Sequence, residues 1–228
     1  MPDTKKTEIV AILDRSGSMA GLERDTIGGF NSFLAQQKET EGEALLTTIL
    51  FDNEFYLLHN RVDIREVLPI TAKDYWVRGS TALLDALGDG IRKIIEAQRR
   101  EKNEMPENTI FMIITDGQEN SSYRYSYKDI KRMIKRQQDI YGWEFLFMGA
   151  NMDAVGAAAD IGIRADRAVR YYADREGTNI NFRAAARAVD TVRLEKRLSS
   201  DWSEDIATYY SRTAGTGSDP DKKNGRSK

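Results

Sequence analysis

Three oxygen-bearing side chains at alternate positions follow an apolar segment near the start of the chain. Asp14, Ser16 and Ser18 stand in the run Asp-Arg-Ser-Gly-Ser-Met, directly after Ile-Val-Ala-Ile-Leu. A carboxylate and two hydroxyls are hard oxygen donors, which suit Mg2+ or Mn2+ better than a soft metal, and Gly17 allows the loop to curl around an ion. Because Asp and Ser also populate turns and helix N-caps, this run alone leaves both a metal site and an ordinary turn open.

Two further segments carry oxygen donors. Thr81, after Gly79 and Ser80, opens an apolar pattern of helical period, and Asp116 follows the apolar run of residues 109–114. Together the segments resemble the von Willebrand factor A (VWA) domain and its metal-ion-dependent adhesion site, and they are most similar to small intracellular VWA proteins of bacteria and phages. The resemblance implies that one Mg2+ or Mn2+ is held, directly or through water, by Asp14, Ser16, Ser18, Thr81 and Asp116.

The resemblance also implies a partner. The protein fills only part of the metal's shell, so an Asp or Glu carboxylate of another protein is expected to complete it, in an intracellular scaffold or adaptor. Side chains of types enriched at binding hot spots flank these loops, and we expect them to form the rim: Arg15, Tyr75, Trp76, Arg78, Tyr123, Arg124 and Tyr125. Packing against helices is the alternative for the aromatic residues, and pairing with Glu119 is the alternative for Arg15. We expect supporting roles around the ion for Gly17, Ser80, Gly117 and Glu119, with Asn120 beside them.

An enzyme is the main alternative. Phosphohydrolases of the haloacid dehalogenase type place a nucleophilic Asp at the end of the first parallel strand, where Asp14 stands, and a second Asp two residues later. Here Ser16 occupies that second position, so the acid/base carboxylate is missing and we expect no enzymatic activity. A structural module with a vestigial site is the third hypothesis, and it predicts that changing Asp14 affects stability alone.

The amino-acid composition limits the classes of function that the protein can have. The chain has 228 residues, enough for one core that buries about 70% of the unfolded surface. The chain has no cysteine, so disulfides and Cys-His constellations are excluded. Its one histidine is His59, which we interpret as a structural residue at the end of an edge strand. With 34 basic and 36 acidic side chains we expect no nucleic-acid partner. No apolar run is long enough for a membrane span or signal peptide, so we expect no membrane association and a cytoplasmic location.

Strand and helix patterns alternate along the chain. This order predicts an α/β fold with a doubly wound, mostly parallel central sheet, one antiparallel edge strand, and helices on both faces. Strands are predicted at residues 8–13, 45–51, 55–58, 109–114, 143–148 and 168–173. Helices are predicted at residues 22–38, from about 81, after the cap at Ser126, and at 153–160 and 181–198. Ligands of such sheets bind beyond the carboxyl ends of the strands, where the oxygen donors lie.

The same pattern of strands and helices divides the chain into four predicted segments. Residues 1–7 form a lead-in, residues 8–198 a VWA domain, and residues 199–211 a C-terminal extension. Residues 212–228 are rich in Gly, Ser, Asp and Lys and have no large apolar side chain, so we expect this tail to be disordered.

Overall fold

A computed structural model describes residues 6–101, 105–150 and 152–215. Within these ranges the strands are β1 (Lys6–Asp14), β2 (Glu43–Phe51), β3 (Phe55–Asp63), β4 (Asn108–Thr115), β5 (Glu144–Ala150) and β6 (Ala168–Tyr171). The α-helices are α1 (Glu23–Glu39), α2 (Leu83–Arg100), α3 (Tyr127–Tyr141), α4 (Ala154–Asp160), α5 (Arg175–Glu195) and α6 (Glu204–Gly215). Short 3-10 turns span Gly17–Met19 and Ala165–Arg167.

The six strands form one sheet in the order β3-β2-β1-β4-β5-β6. All neighbours are parallel except β2 and β3, which are antiparallel at the edge. The chain runs from β1 towards β2 on one side and from β4 towards β5 and β6 on the other. The direction of the winding therefore reverses between β1 and β4, which is where such sheets open a crevice at their carboxyl ends. The predicted fold class is confirmed.

The central strand β1 supplies both core layers because its side chains alternate between the faces of the sheet. Ile9 and Leu13 belong to the core under α1, α5 and α6, whereas Val10 and Ile12 belong to the core under α2, α3 and α4. Helices thus cover both faces, which explains why β1 is a continuous apolar run. None of the helices in the described part of the chain is both long and apolar enough to cross a membrane.

The hairpin strand β3 is longer than predicted, since it runs to Asp63 rather than ending at residue 58. The extra residues are polar except for Val62, and an edge strand tolerates them because it is only half-buried. His59 consequently lies within β3, opposite Thr48, and not at its end. Burial lowers the pKa of His59, which favours the neutral imidazole.

The C-terminal part holds the largest differences from the sequence-based prediction. Helix α5 begins at Arg175, six positions before the predicted start, and its N-terminus is capped by Asp174, which accepts from the main-chain N–H of Gly177 at 2.7 Å. It ends at Glu195 rather than at residue 198. Helix α6 was not predicted; Trp202, which precedes it, and Ile206 are buried in the core beside α5. The expected disorder is therefore wrong for residues 212–215, which α6 includes, while residues 1–5 and 216–228 lie outside the described residues.

Candidate metal centre

Two carboxylates meet at the carboxyl ends of β1 and β4. Asp14 is the last residue of β1, and Asp116 directly follows Thr115, the last residue of the neighbouring strand β4. The side chain of Asp14 is fully buried and fixed at both oxygens. Its Oδ1 accepts from the main-chain N–H of Ser16 at 2.7 Å, and its Oδ2 accepts from Thr115 Oγ1 at 2.5 Å.

A chain of hydroxyl contacts joins the remaining donors. Thr81 Oγ1 donates to Ser16 Oγ at 3.0 Å, and the Oγ atoms of Ser16 and Ser18 lie 2.9 Å apart. Ser18 Oγ in turn donates to Asp116 Oδ1 at 2.6 Å. The structure therefore brings all five predicted metal ligands into one cluster. Asp14, Ser16 and Thr81 are buried at its floor, whereas Ser18 is exposed and Asp116 half-buried at its mouth.

Main-chain hydrogen bonds hold the three contributing loops together. The N–H of Gly17 donates to the carbonyl of Gly79 at 3.1 Å, and the N–H of Arg78 donates to the carbonyl of Arg15 at 2.8 Å. Asn120 is bonded to Thr81 in both directions, because its Oδ1 accepts from the Thr81 N–H and its own N–H donates to the Thr81 carbonyl. The position of each donor is thus set by the neighbouring loops.

Gly117 leaves room for the cluster. A Cβ atom at this position would lie 2.7 Å from Thr81 Oγ1 and 3.0 Å from Ser18 Oγ, which is closer than atoms normally approach. The residue after Asp116 is therefore glycine because the hydroxyls of two proposed ligands occupy the space that a side chain needs.

The electrostatics of the cluster favour a cation. Burial raises the pKa of Asp14, and burial together with the nearby charge of Asp14 raises the pKa of Asp116 to about 6. Among the described residues no Lys or Arg pairs with either carboxylate. A buried and a half-buried carboxylate without a protein counter-charge are costly when ionised, and a bound cation would reduce that cost.

The donor set fits a hard divalent cation. No three His, Cys, Asp or Glu side chains come together as a metal site anywhere in the described ranges, so this cluster relies on hydroxyls to supplement its two carboxylates. Oxygen-only donors with low total charge suit Mg2+ or Mn2+, which keep several waters or external ligands. They do not suit Zn2+, which prefers nitrogen and sulfur.

The predicted rim residues separate into exposed and buried groups. Trp76 is 45% exposed and Tyr123 is 82% exposed. Arg78 and Arg124 also reach the surface, but each is held by acidic neighbours: Arg78 by Asp52 and Glu54, and Arg124 by Asp85 and Asp89. Among the predicted rim side chains, Trp76 and Tyr123 are thus the exposed ones that no ion pair holds in place.

Three predicted rim residues do not face solvent as expected. Arg15 is only 2% exposed; it pairs with Asp52 at 2.9 Å rather than with Glu119, and its guanidinium lies about 5 Å from the rings of Tyr56 and Trp76. Tyr75 is buried, and its hydroxyl donates to the main-chain carbonyl of Asp14 at 2.5 Å. Tyr125 is half-buried and packs against Gly88 of α2, where a Cβ atom would clash with its ring. These side chains therefore pack within the loops or against the helices that the loops join.

Glu119 also has a different role from the one expected. Its Oε2 accepts from the N–H of Leu84 in the first turn of α2 at 2.9 Å, and its Oε1 accepts from the N–H groups of Ser121 and Ser122. It therefore caps α2 and shapes its own loop, and in the described part of the chain it makes no hydrogen bond to the five clustered donors. Ser80 is half-buried between Gly79 and Thr81.

Two residues of the site were missed from the sequence. Thr115 bonds Asp14 directly, and its place immediately before Asp116 at a strand end was an available signal. Asp52 was interpreted only as part of a hairpin turn, yet it is buried and accepts from both Arg15 and Arg78. No local pattern indicates these contacts, because the partners lie 37 and 26 positions away.

No family model and no curated protein sequence matches the chain. A solved structure titled von Willebrand factor type A from Catenulispora acidiphila superposes with a TM-score of 0.54 at 15% identity, covering 81% of this chain and 42% of that one. The chain has a VWA-like fold. The VWA-like chain is also similar to the PilB minor pilin of Streptococcus sanguinis, with a TM-score of 0.57, 10% identity, and coverage of 87% of this chain and 64% of that one.

A third similar structure is the pilus adhesin SpaC from Lactobacillus rhamnosus GG in its open conformation. It has a TM-score of 0.59 and 13% identity, over 83% of this chain and 30% of that one. The VWA-like chain spans less than two thirds of each of these three structures. At such identities the likeness shows the fold, and the chemistry must come from the site itself.

Proposed function

We propose that this protein is a divalent-metal-dependent protein-binding module, in which one Mg2+ or Mn2+ is held by Asp14, Ser16, Ser18, Thr81 and Asp116. The observation that carries the proposal is the cluster of three hydroxyls around two carboxylates that have no cationic partner among the described residues. A bound metal would offer a coordination position to a carboxylate from an acidic side chain of a partner protein. The similarity in fold to a pilus adhesin is consistent with a binding role.

The protein's own residues fix the geometry of this pocket. Thr115 and the main chain of Ser16 orient both oxygens of Asp14, and Tyr75 anchors its main-chain carbonyl. The exposed mouth at Ser18 and Asp116 is the side from which a partner's carboxylate can approach. Because most proposed ligands are neutral hydroxyls, little protein charge opposes an incoming anion.

Two features support binding over catalysis. Asp14, the residue in the nucleophile position of a phosphohydrolase, is fully buried and has both oxygens engaged in hydrogen bonds. Ser16, in the acid/base position, is bonded to Thr81 and Ser18 and has no carboxylate. We therefore propose a non-enzymatic scaffold or adaptor that works inside the cell.

A metal titration tests the first half of the proposal. Mn2+ is titrated into the full chain and free Mn2+ is followed by electron paramagnetic resonance, with wild type, Asp14→Ala and the control Asp139→Ala. Asp139 is an exposed carboxylate on α3, so its loss should leave binding unchanged. We expect one Mn2+ per chain in wild type and control and none in Asp14→Ala. Equal binding in all three would place the ion elsewhere, and no binding in wild type would favour a structural module.

A further inference from the structure

A second cavity lies between the C-terminal halves of α2 and α3. It has a volume of about 210 Å3. Its walls combine apolar side chains with two arginines and include Ile95, Arg99, Met105, Met133, Arg136 and Trp143. None of these residues contributes to the metal centre, and we call this cavity the α2-α3 groove.

The floor of the groove is rigid. Trp143 is only 5% exposed and stacks on Phe111 with ring centroids 5.4 Å apart. Gln98, which also lines the cavity, is fixed by a hydrogen bond from its Nε2 to Thr109 Oγ1 at 2.9 Å. The space is therefore preformed, and filling it requires no rearrangement of the core.

Apolar surface is exposed at the rim. Met105 is 48% exposed and Tyr141 is 50% exposed, and both line the groove. Burying such side chains against another apolar group is favourable, by roughly 25 cal/mol for each Å2 removed from water. The exposed lining of the groove is therefore mainly apolar.

The charges around the groove specify its partner. Arg99 comes from α2 and Arg136 from α3, so positive charge lies on both helices that form the walls. Neither arginine has an ion-pair partner in the described part of the chain. An acidic side chain on either side of an apolar anchor would pair with these guanidinium groups, which bind carboxylates well.

The size of the groove limits the occupant. A volume of about 210 Å3 is below the roughly 300–1,000 Å3 of usual small-molecule pockets, and it is sufficient for one large side chain. Residues 216–228 contain no large apolar side chain, so they do not match the cavity. We propose that the α2-α3 groove docks a segment of a partner protein in which one bulky aromatic or aliphatic residue is flanked by acidic residues.

The position of the groove makes this interaction independent of the metal. Met105 precedes β4 and Trp143 directly precedes β5, so the groove lies near the amino ends of the strands. The metal centre lies at the opposite, carboxyl ends. The chain can therefore hold one partner at each end of the sheet, which goes beyond the metal-dependent binding proposed above.

Methionine-methyl nuclear magnetic resonance tests the groove with a defined probe. The full chain, labelled at the methionine methyls, is titrated in EDTA with the blocked peptide Asp-Glu-Phe-Glu-Asp. We expect saturable shifts at Met105 and Met133, with none at Met19 in the metal loop, and no shifts with a peptide in which Phe is replaced by Ser. Unchanged Met105 and Met133 signals at about 1 mM peptide, which corresponds to a binding free energy weaker than about −4 kcal/mol, would overturn the proposal. Equal shifts with the Ser peptide would also overturn it.

A pair of charge reversals tests the role of the arginines. Arg99→Glu combined with Arg136→Glu should weaken peptide binding at least about tenfold because it replaces attraction with repulsion. Lys128→Glu combined with Arg183→Glu gives the same change in net charge at exposed positions away from the groove, and this control should leave the affinity within about twofold. Equal losses in both double variants would show that net charge alone drives binding and would contradict a groove-specific site.

Discussion

The Oγ of Ser18 donates a hydrogen bond of 2.6 Å to Oδ1 of Asp116, a residue 98 positions later in the chain. This contact joins the loop after β1 to the loop after β4 at the mouth of the proposed metal centre. The same hydroxyl lies 2.9 Å from Ser16 Oγ, so Ser18 links the buried floor of the cluster to its exposed edge. The contact exists because β1 and β4 are parallel neighbours whose carboxyl ends lie side by side.

Asp116→Asn isolates the charge of this carboxylate. The amide oxygen can still accept the hydrogen bond from Ser18, so we expect the fold to be retained. Removing one of two negative charges should weaken Mn2+ binding at least about tenfold, which corresponds to roughly 1.4 kcal/mol. Calorimetric titration measures the affinity, and circular dichroism checks the fold. A variant that binds Mn2+ as tightly as wild type would exclude Asp116 from the site.

The substitution Gly117→Ala should weaken metal binding by steric crowding alone. The added Cβ meets the hydroxyls of Thr81 and Ser18, and displacing them should weaken metal binding by roughly 10–100-fold, as disturbed ligand orientation does elsewhere. Gly28→Ala is the matched control, because a Cβ at this position on α1 meets nothing within 4 Å. It should leave metal affinity unchanged and stabilise the helix by about 0.5–1 kcal/mol. Equal metal affinities in the two variants would contradict the claim that the hydroxyls beside Gly117 hold the metal.

Substitution of Arg15 tests whether this side chain is a rim residue that meets a partner or a buried residue that supports the fold. Its guanidinium pairs with Asp52, which is also fully buried. Arg15→Ala should lower the free energy of unfolding by about 1.5–3 kcal/mol, the usual loss for a hydrogen bond to a charged group, because Arg78 still pairs with the buried Asp52. Arg132→Ala removes an exposed pair with Asp129 and should leave the free energy of unfolding nearly unchanged, because water screens such pairs. Urea denaturation measures the free energy of unfolding of both variants. If Arg15→Ala is as stable as Arg132→Ala, Arg15 is a rim residue and not a buried support.

Glu8 gives the fold a predictable pH dependence at the opposite end of the sheet. Burial raises the pKa of Glu8 to about 7, although Arg61 Nε donates to its Oε2 at 2.8 Å. The two Nη groups of Arg61 donate to Glu101, and Oε1 of Glu8 has no hydrogen-bond partner among the described residues. Lys6 and Glu101 are the other charged groups near Glu8.

The sign follows from proton linkage. The pKa of Glu8 is higher in the folded chain than its ordinary value of 4.5, so the folded state binds the proton more tightly. Stability from this group is fully present below about pH 4.5 and is lost as the pH rises to about 7, by up to about 3 kcal/mol. Urea denaturation at pH 5 and pH 8 should show a smaller decline in Glu8→Gln than in wild type. Identical declines would contradict the raised pKa.

The sequence carried enough information for the sheet and for the five clustered donors. Apolar runs mark the strands, and Asp14 and Asp116 follow two runs that parallel pairing brings together. The surroundings of Arg15 were not predictable, because its pairing with Asp52 and its contact with Trp76 depend on how separate loops pack. A charged side chain next to a proposed ligand looks exposed until the tertiary structure buries it.

Helix α6 was missed for a different reason. Its contribution to the core comes from few residues, chiefly Trp202 just before it and Ile206 within it, and this is too little to produce a clear helical period. Its position is set by packing against β6 and α5, and Arg187 of α5 pairs with Asp205 of α6 at 2.6 Å. Tertiary contacts of this kind stabilise a helix that local propensity does not indicate.

Metal-dependent capture of a partner is the central claim, and an affinity purification from the native host's lysate with quantitative mass spectrometry tests it most directly. The arms are wild type in Mg2+, wild type in EDTA, Asp14→Ala in Mg2+, and Asp139→Ala in Mg2+. We expect a protein that is retained by wild type and by Asp139→Ala in Mg2+ and is absent from the other two arms. Identical sets of retained proteins in all four arms would contradict recognition through the metal centre.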